Sequence, residues 1–255
     1  LNSEDDGIRE WGGYFEVNNT YGSVNFVDPT GIQLVPNKTI IDAPASSALA
    51  YINYQYKDDD MAQIEQTKKL PVTLLQDPVY LKRLDCLTTT LPEETKTVSV
   101  YSLGERDALV WGNNKYLILA PTILLKKGTT SENLSTELLN HRLTLYYLSA
   151  EGDEDANTLK LYLRYEISGI GGSSTEETDD KESWASDYNV RYTNVSHVNL
   201  QPIISMYKST HSGSEPEKVT VEYEYNNSTS SIPTIAKKQT KTVTYNLYTE
   251  TSSNN

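Results

Sequence analysis

The sequence predicts an all-β protein: a small closed barrel followed by a larger β-sandwich. Apolar and polar residues alternate with period two in segments such as Leu159-Lys160-Leu161-Tyr162-Leu163-Arg164-Tyr165-Glu166-Ile167 and Val219-Thr220-Val221-Glu222-Tyr223-Glu224-Tyr225, the mark of a half-buried strand. The chain carries 19 tyrosines against 2 phenylalanines, mostly within such segments, where an aromatic ring suits the pleated surface. Strands in the first part are short and separated by turn residues, whereas those after residue 104 are longer and joined by polar loops.

The elements follow in order. Leu1-Asn2-Ser3-Glu4-Asp5-Asp6-Gly7 is acidic, and residues 1–12 read as a flexible tether. Gly13 to Val17, Gly22 to Val27 and Gly31 to Val35 read as strands, with Asn18-Asn19 and Asp28-Pro29-Thr30 as turns. Ala48 to Tyr56 is a longer strand, ended by the charge run Lys57-Asp58-Asp59-Asp60. Leu70 to Gln76 and Leu81 to Thr90 complete a barrel of about five strands within residues 13–103, and closure removes exposed edges. Thr97 to Leu103 reads as a connecting strand, and Gly104-Glu105-Arg106-Asp107 as the domain boundary. Within 104–255, strands are expected at Lys115 to Leu125, His141 to Ser149, Thr158 to Ile167, Val195 to Tyr207, Lys218 to Tyr225 and Lys241 to Tyr248, a spacing that suggests a sandwich. Glu132 to Asn140 has room for one or two helical turns, and Ser168 to Ser183 reads as a long loop.

Composition excludes several roles. The net charge of −13 opposes binding to phosphate backbones, so nucleic acid is not an expected partner. It equally disfavours docking on an anionic membrane through a basic patch. The single Cys86 allows no internal disulfide and reads as a small buried hydrophobe within a strand.

No motif states a chemistry. His141, His197 and His211 stand far apart and are expected at the surface or at strand ends, where they cannot supply the converging ligands of a zinc site. Gly169-Ile170-Gly171-Gly172-Ser173 follows a strand without opening a helix, so it reads as a loop rather than a phosphate cradle. Asp153-Glu154-Asp155-Ala156-Asn157 offers alternating oxygen ligands but lacks the glycine and the closing glutamate of a calcium loop; a solvated turn is the plainer reading. Asp58-Asp59-Asp60 and Glu176-Glu177-Thr178-Asp179-Asp180 read likewise. The sequence therefore predicts neither a catalytic residue, nor a metal, nor a cofactor, and the chain is not expected to be an enzyme.

The aromatics carry what functional signal there is. On strand-face grounds Tyr54, Tyr56, Tyr147, Tyr165, Tyr223, Tyr225 and Tyr245 point inward, alongside Leu, Ile and Val. Tyr51, Tyr146, Tyr162 and Tyr248 fall on the opposite faces, as cross-strand packing partners or as platforms for a ligand. Trp184, Tyr188 and Tyr192 fall in the loop before Val195, where rings could fold over the sandwich end or form a loop-borne site. Trp184, Tyr188, Tyr192 and Tyr162 are the candidate ligand-binding residues.

A barrel and then a sandwich behind an acidic tether resembles the NigD-like proteins of the Bacteroidetes. The segments carrying the likeness are Tyr116-Leu117-Ile118-Leu119, Leu159 to Tyr165, His197-Val198-Asn199-Leu200, and the closing pair Val219 to Asn227 and Thr240 to Tyr248. The acidic start is also similar to the run that follows the lipidated cysteine in surface lipoproteins of that phylum. The resemblance implies an OB-like barrel, an immunoglobulin-like sandwich, and a chain held at the cell surface of the outer membrane by a lipid anchor upstream of residue 1; the chain is expected to be a monomer. The expected role is a binding or scaffolding accessory for a glycan or a surface protein; the alternative is a fimbrial or other assembly subunit.

Overall fold

The computed structural model describes residues 5–20, 22–40, 43–45, 47–104, 109–148, 157–172 and 182–249. The first four tether residues, Glu105-Arg106-Asp107 of the expected boundary, the acidic turn at Asp153–Ala156, Ser173 and the acidic run at Glu176–Asp180 lie outside the described residues. The chain divides into two compact units, Leu1–Arg83 and Leu84–Asn255. The division falls upstream of the boundary expected after Leu103, because Leu84, Val98, Val100 and Leu103 are buried in the core of the second unit.

In the first unit, β1 (Ile8–Thr20), β2 (Ser23–Val27), β3 (Gln33–Pro36), β4 (Leu49–Lys57) and β5 (Lys69–Leu74) pair in the order β1-β2-β3-β5-β4, and β4 returns to β1. β3 and β5 run parallel and the other pairs antiparallel, which is the OB-like closure. Two short strands, β6 (Val79–Tyr80) against β4 and β7 (Lys82–Arg83), end the unit.

β1 begins earlier than the sequence suggests. Ile8 to Gly12, assigned there to the tether, pair with β4 from Ile8↔Lys57 to Gly12↔Asn53. One long strand thus serves β4 through Glu16 and β2 from Glu16 onward, so the ladder can close on itself. The Tyr51 hydroxyl lies over Gly12, where a Cβ would force that side chain to move. Phe15, Val24, Phe26, Leu34, Ile52, Tyr54, Leu70 and Val72 fill the interior. The charge run after β4 opens a 3₁₀ turn, Asp58–Gln63, and helix α1 (Ile64–Thr67), whose Ile64 is buried. Acidic residues suit that N-terminal turn.

In the second unit, β8 (Asp85–Leu87), β12 (His141–Tyr146), β13 (Thr158–Ile167), β16 (Lys218–Asn226) and β17 (Lys238–Asn246) form a sheet in the order β17-β16-β13-β12-β8. The expected strand Leu81 to Thr90 is thus split into β6, β7 and β8. β13 and β16 pair in parallel from Thr158↔Lys218 to Tyr162↔Glu222. Beyond that point the Thr97–Leu103 segment enters: Val98 N–H donates to the Tyr165 carbonyl at 2.7 Å and Val100 N–H to that of Glu224 at 2.9 Å. It makes isolated bridges here rather than the expected strand.

β9 (Leu109–Trp111), β10 (Tyr116–Leu119) and β15 (Ser196–Asn199) form a second sheet region, and β11 (Thr122–Lys126) pairs with β14 (Tyr188–Thr193). The expected strand Lys115 to Leu125 breaks at Pro121, which has no N–H to give a ladder; its carbonyl accepts the Asn194 N–H at 2.8 Å. The β10–β15 and β11–β14 pairs are successive halves of one bent ribbon. Glu132 to Asn140 contains helix α2 (Leu134–Leu138).

The expected strand Val195 to Tyr207 needs correction. After β15 the chain turns into helix α3 (Gln201–Thr210), with Pro202 in its first turn. The Asn199 side-chain oxygen accepts the Gln201 N–H at 3.0 Å, a local turn that leads into the helix, and Pro202 suits its first turn. Ile203 and Tyr207, four apart, bury one helical face. The core joins these helices to both sheet regions through Leu117, Leu119, Leu145, Leu161, Leu163, Tyr165, Tyr207, Val221 and Tyr223.

Candidate functional site

The site begins with a turn and a helix. Gly112, Asn113 and Asn114, between β9 and β10, have φ values of 66°, 58° and 69°, a left-handed run that asparagine tolerates better than most residues and that clusters at functional positions. Asn114 turns its amide onto the main chain of Tyr248: Nδ2–H donates to the Tyr248 carbonyl at 2.8 Å, and Oδ1 accepts the Tyr248 N–H at 2.8 Å. This two-bond clamp fixes the residue just beyond β17. Tyr248 remains 45% exposed.

Helix α3 supplies the facing wall. Gln201, Ile204, Ser205 and Lys208 line it at the spacing of one helical stripe. Ser212 and Gly213 adopt φ of 55° and 81° beyond the helix, and the Gly213 N–H returns to the Lys208 carbonyl at 2.9 Å. This reversal brings Glu215 and Pro216 onto the rim, with Lys208 Nζ 3.5 Å from Glu215 Oε1. The resulting cleft of about 450 Å³ is lined by Asn113, Asn114, Gln201, Ile204, Ser205, Lys208, Glu215, Pro216 and Tyr248, within the usual range of ligand clefts. The side chains of Asn113, Gln201 and Ser205 have no hydrogen-bond partner among the described residues.

A second polar cluster, on the outer face of the five-stranded sheet, is closed. Arg164 Nη2 lies 2.7 Å from Glu222 Oε2, and Lys238 Nζ lies 3.1 Å from Glu224 Oε2. The Thr97 hydroxyl donates to Glu224 Oε1 at 2.6 Å, and Lys238 Nζ also reaches the carbonyls of Glu94 and Thr97 at 2.7 and 2.8 Å. Burial lowers the Lys238 pKa, while Glu224 opposes the shift. The cluster ties the incoming 94–97 segment to the sheet.

A third group is interior. His141 Nδ1 is 2.5 Å from the Tyr165 hydroxyl, and Nε2 is 2.7 Å from Glu137 Oε1, whose atom also accepts the Lys126 N–H at 3.2 Å. Burial holds the Tyr165 phenol well above its usual range. The histidine side chain is 1% exposed, so this relay joins α2 to β12 and β13 within the fold. His197 is buried too, beside Tyr116. His141 thus opens β12, a strand end as expected, but with its side chain inside, and the expectation of a surface position is corrected for His197; His211 stacks on Tyr207 at 3.8 Å. Burial pushes the Cys86 thiol up to about 12, so it stays protonated near neutrality.

The expected site residues are not lining residues of the cleft. Tyr162 lies on the outer face opposite Tyr146, but both are buried, and the Lys160 ammonium and Arg164 guanidinium lie over the Tyr162 ring. Tyr188 begins β14 rather than lying in a loop; it is buried edge-on to His141. Trp184 and Tyr192 are half-buried against the core, the former 6.1 Å from Tyr188 and the latter paired with Ile123 in β14. Of the four outward-facing tyrosines, Tyr51 is half-buried against Tyr14, and Tyr248 has the exposed ring. The sequence nominated Tyr248 but missed its partners; the paired Asn113-Asn114 after Gly112 was the available signal.

No family model matches the chain, and no curated protein does. Solved structures do. A candidate lipoprotein of Bacteroides fragilis is 22% identical at a TM-score of 0.70, covering 95% of this chain and 99% of that one. An uncharacterized protein from Parabacteroides merdae is 16% identical at 0.54, over 94% of this chain and 100% of that one. A NigD-like immunity protein from Bacteroides caccae aligns over 89% of this chain and 92% of that one, but at 12% identity and a TM-score of 0.45 it is too distant to carry a family assignment. The first two likenesses establish the all-β barrel-and-sandwich fold and nothing about ligand or chemistry.

Proposed function

We propose that the chain is a non-catalytic binding accessory, lipid-anchored at the cell surface, whose ligand lies in the Tyr248 cleft. One observation carries the reading: Asn114 holds the main chain of Tyr248, an exposed aromatic residue, beside the outward-facing amides of Asn113 and Gln201 and the Ser205 hydroxyl. An aromatic residue with a few convergent polar groups is what a small-ligand site requires, and pre-ordering of its backbone lowers the entropic cost of binding. A glycan fits that chemistry better than an apolar ligand does. Trp184 and Tyr192 retain enough surface for a secondary contact. Lipid anchoring draws on the acidic start and on the likeness to a candidate lipoprotein, and NigD-like membership on the order of the two folds.

A glycan array followed by titration calorimetry tests the binding. The wild type is expected to bind, Tyr248→Ala to bind about tenfold more weakly, and Trp184→Ala to weaken it little. Absence of any glycan ligand, or binding unaffected by Tyr248→Ala, would overturn the reading. Incorporation of labelled palmitate by the full-length protein checks the anchor.

The alternative role as an assembly subunit draws on β17, which ends its sheet and exposes Thr240, Lys241 and Thr242. An edge strand can accept another chain, although an edge lysine opposes such pairing. Light scattering separates the two: the binding accessory is a monomer, and concentration-dependent oligomers would favour assembly.

A further inference from the structure

Resting on the cleft reading above, we propose that the ligand is a neutral pyranose with vicinal hydroxyls, not an acidic or sulfated sugar. The argument starts from charge. Among the lining residues, Lys208 is the cation and Glu215 the anion, and they face each other at 3.5 Å. An anionic ligand would have to compete with Glu215 for that ammonium. It would also approach a chain of net charge −13, whose field slows the encounter. Acidic sugars are normally held by unpaired arginines or lysines, and the cleft presents a compensated pair instead.

The remaining polar groups match uncharged hydroxyls. The Asn113 and Gln201 amides each place a donor beside an acceptor, and the Ser205 hydroxyl is both. Two adjacent sugar hydroxyls present the same alternation, so one amide can satisfy both. Ile204, Pro216 and the Tyr248 ring supply the apolar surface on which the C–H face of a pyranose would lie. A ligand of mixed polarity is better matched here than a purely apolar or an ionic one. Selectivity then comes from hydrogen bonds that a wrong ligand leaves unmade.

The experiment measures binding of neutral trisaccharides (maltotriose, mannotriose and xylotriose) against trigalacturonate and a chondroitin sulfate oligosaccharide. Wild type, Tyr248→Phe, Tyr248→Ala and the double variant Lys208→Gln/Glu215→Gln are compared, with circular dichroism confirming the fold of each. A neutral trisaccharide is expected to bind, and Tyr248→Phe and the double variant are each expected to lower its affinity less than Tyr248→Ala does. Loss of the ring in Tyr248→Ala should weaken it by about tenfold. Affinity should also be insensitive to salt between about 0.05 and about 0.5 M NaCl. Binding confined to the acidic sugars, lost in Tyr248→Ala and in the double variant, would overturn the neutral-ligand inference and leave the cleft reading standing. Absence of binding to either class, or an affinity that Tyr248→Ala leaves unchanged, would overturn both.

Discussion

The cluster around Glu224 and the cleft around Tyr248 are both polar, both lie in the second unit, and end in opposite states. Around Glu224 the donors are matched inside the protein. Lys238 meets Glu224, Glu94 and Thr97, with its side chain 7% exposed and that of Glu224 8%. Around Tyr248 the Asn113 and Gln201 amides face outward, and the one ion pair there, Lys208–Glu215, has side chains 41% and 62% exposed. Burial therefore decides the role. A saturated, buried network cannot bind a ligand without giving up the bonds that hold a strand in place. An open one can, since water already competes for its groups.

The largest test of this contrast removes one member of the closed network. Glu224→Ala would leave Lys238, Arg164 and the Thr97 hydroxyl without their shared acceptor in a buried site, at a cost of about 3–5 kcal/mol. Urea unfolding of the whole chain should register this as a lower midpoint of the second unit's transition. Adding Lys238→Met to the same variant should recover part of the loss, because it removes the orphaned charge. If Glu224→Ala were as mild as a surface substitution, the network would be open to solvent and the comparison would fail.

The next test is at the joint of the open region. Asn114→Gly keeps the left-handed backbone and removes two hydrogen bonds to Tyr248, for about 1 kcal/mol. Asn114→Ala removes the same bonds and adds about 1 kcal/mol for the positive φ. The difference between the two variants in thermal unfolding separates the clamp from the backbone. In both, the Tyr248 ring should gain mobility, read as a narrower NMR line for its ring protons. An unchanged ring signal would show that β17, not Asn114, fixes the tyrosine.

Much of the architecture was legible in the residues. Thr158–Ile167 appeared as a strand with the bounds read from its alternation, because each inward residue there is apolar and each outward one polar. The fold failed to show where one residue acts through a distant partner. Ile8 to Gly12 looked like tether because their pairing depends on β4, about forty residues away in sequence. The Ile203-Ile204 pair reads as strand by its apolar run alone, whereas the Asn199 turn and Pro202 start a helix there. Tyr162 and Tyr188 illustrate a different limit: strand period gives the face of a side chain but not what covers that face. Arg164 over Tyr162, and His141 beside Tyr188, close those rings off. The cleft was illegible for the same reason, since Asn114 and Tyr248 meet only through the fold.

Titration offers a smaller test on the closed side. Burial raises the Cys86 pKa from 9.0 to about 12, so the folded chain keeps a proton that the unfolded chain releases. The stability from this group is present in full below about pH 9 and is lost as pH climbs through about 12. At pH 10, Cys86→Ala should therefore lessen the alkaline loss by about 1 kcal/mol relative to pH 8. Lys238 acts in the opposite sense: burial lowers its pKa below 10.5, so its contribution rises with pH through the interval under that value. Comparing wild type with Cys86→Ala at each pH cancels the lysine and isolates the thiol.

The smallest effect is expected at the one ion pair of the cleft, and its smallness is informative. Lys208 and Glu215 are separated by 3.5 Å with both side chains substantially exposed, so water screens the attraction and two flexible chains lose freedom in forming it. Lys208→Gln should change stability by no more than about 0.5 kcal/mol, and raised salt should erase even that. The same kind of substitution at Lys238, where the ammonium is enclosed by Glu224, Glu94 and Thr97, should cost several times as much. If the two lysines instead proved equally costly, Lys208 would be part of the scaffold, and the cleft could not release it to a ligand. A ratio well above one means that the fold does not need Lys208, so its replacement reports on the charge of the cleft and not on a loss of structure.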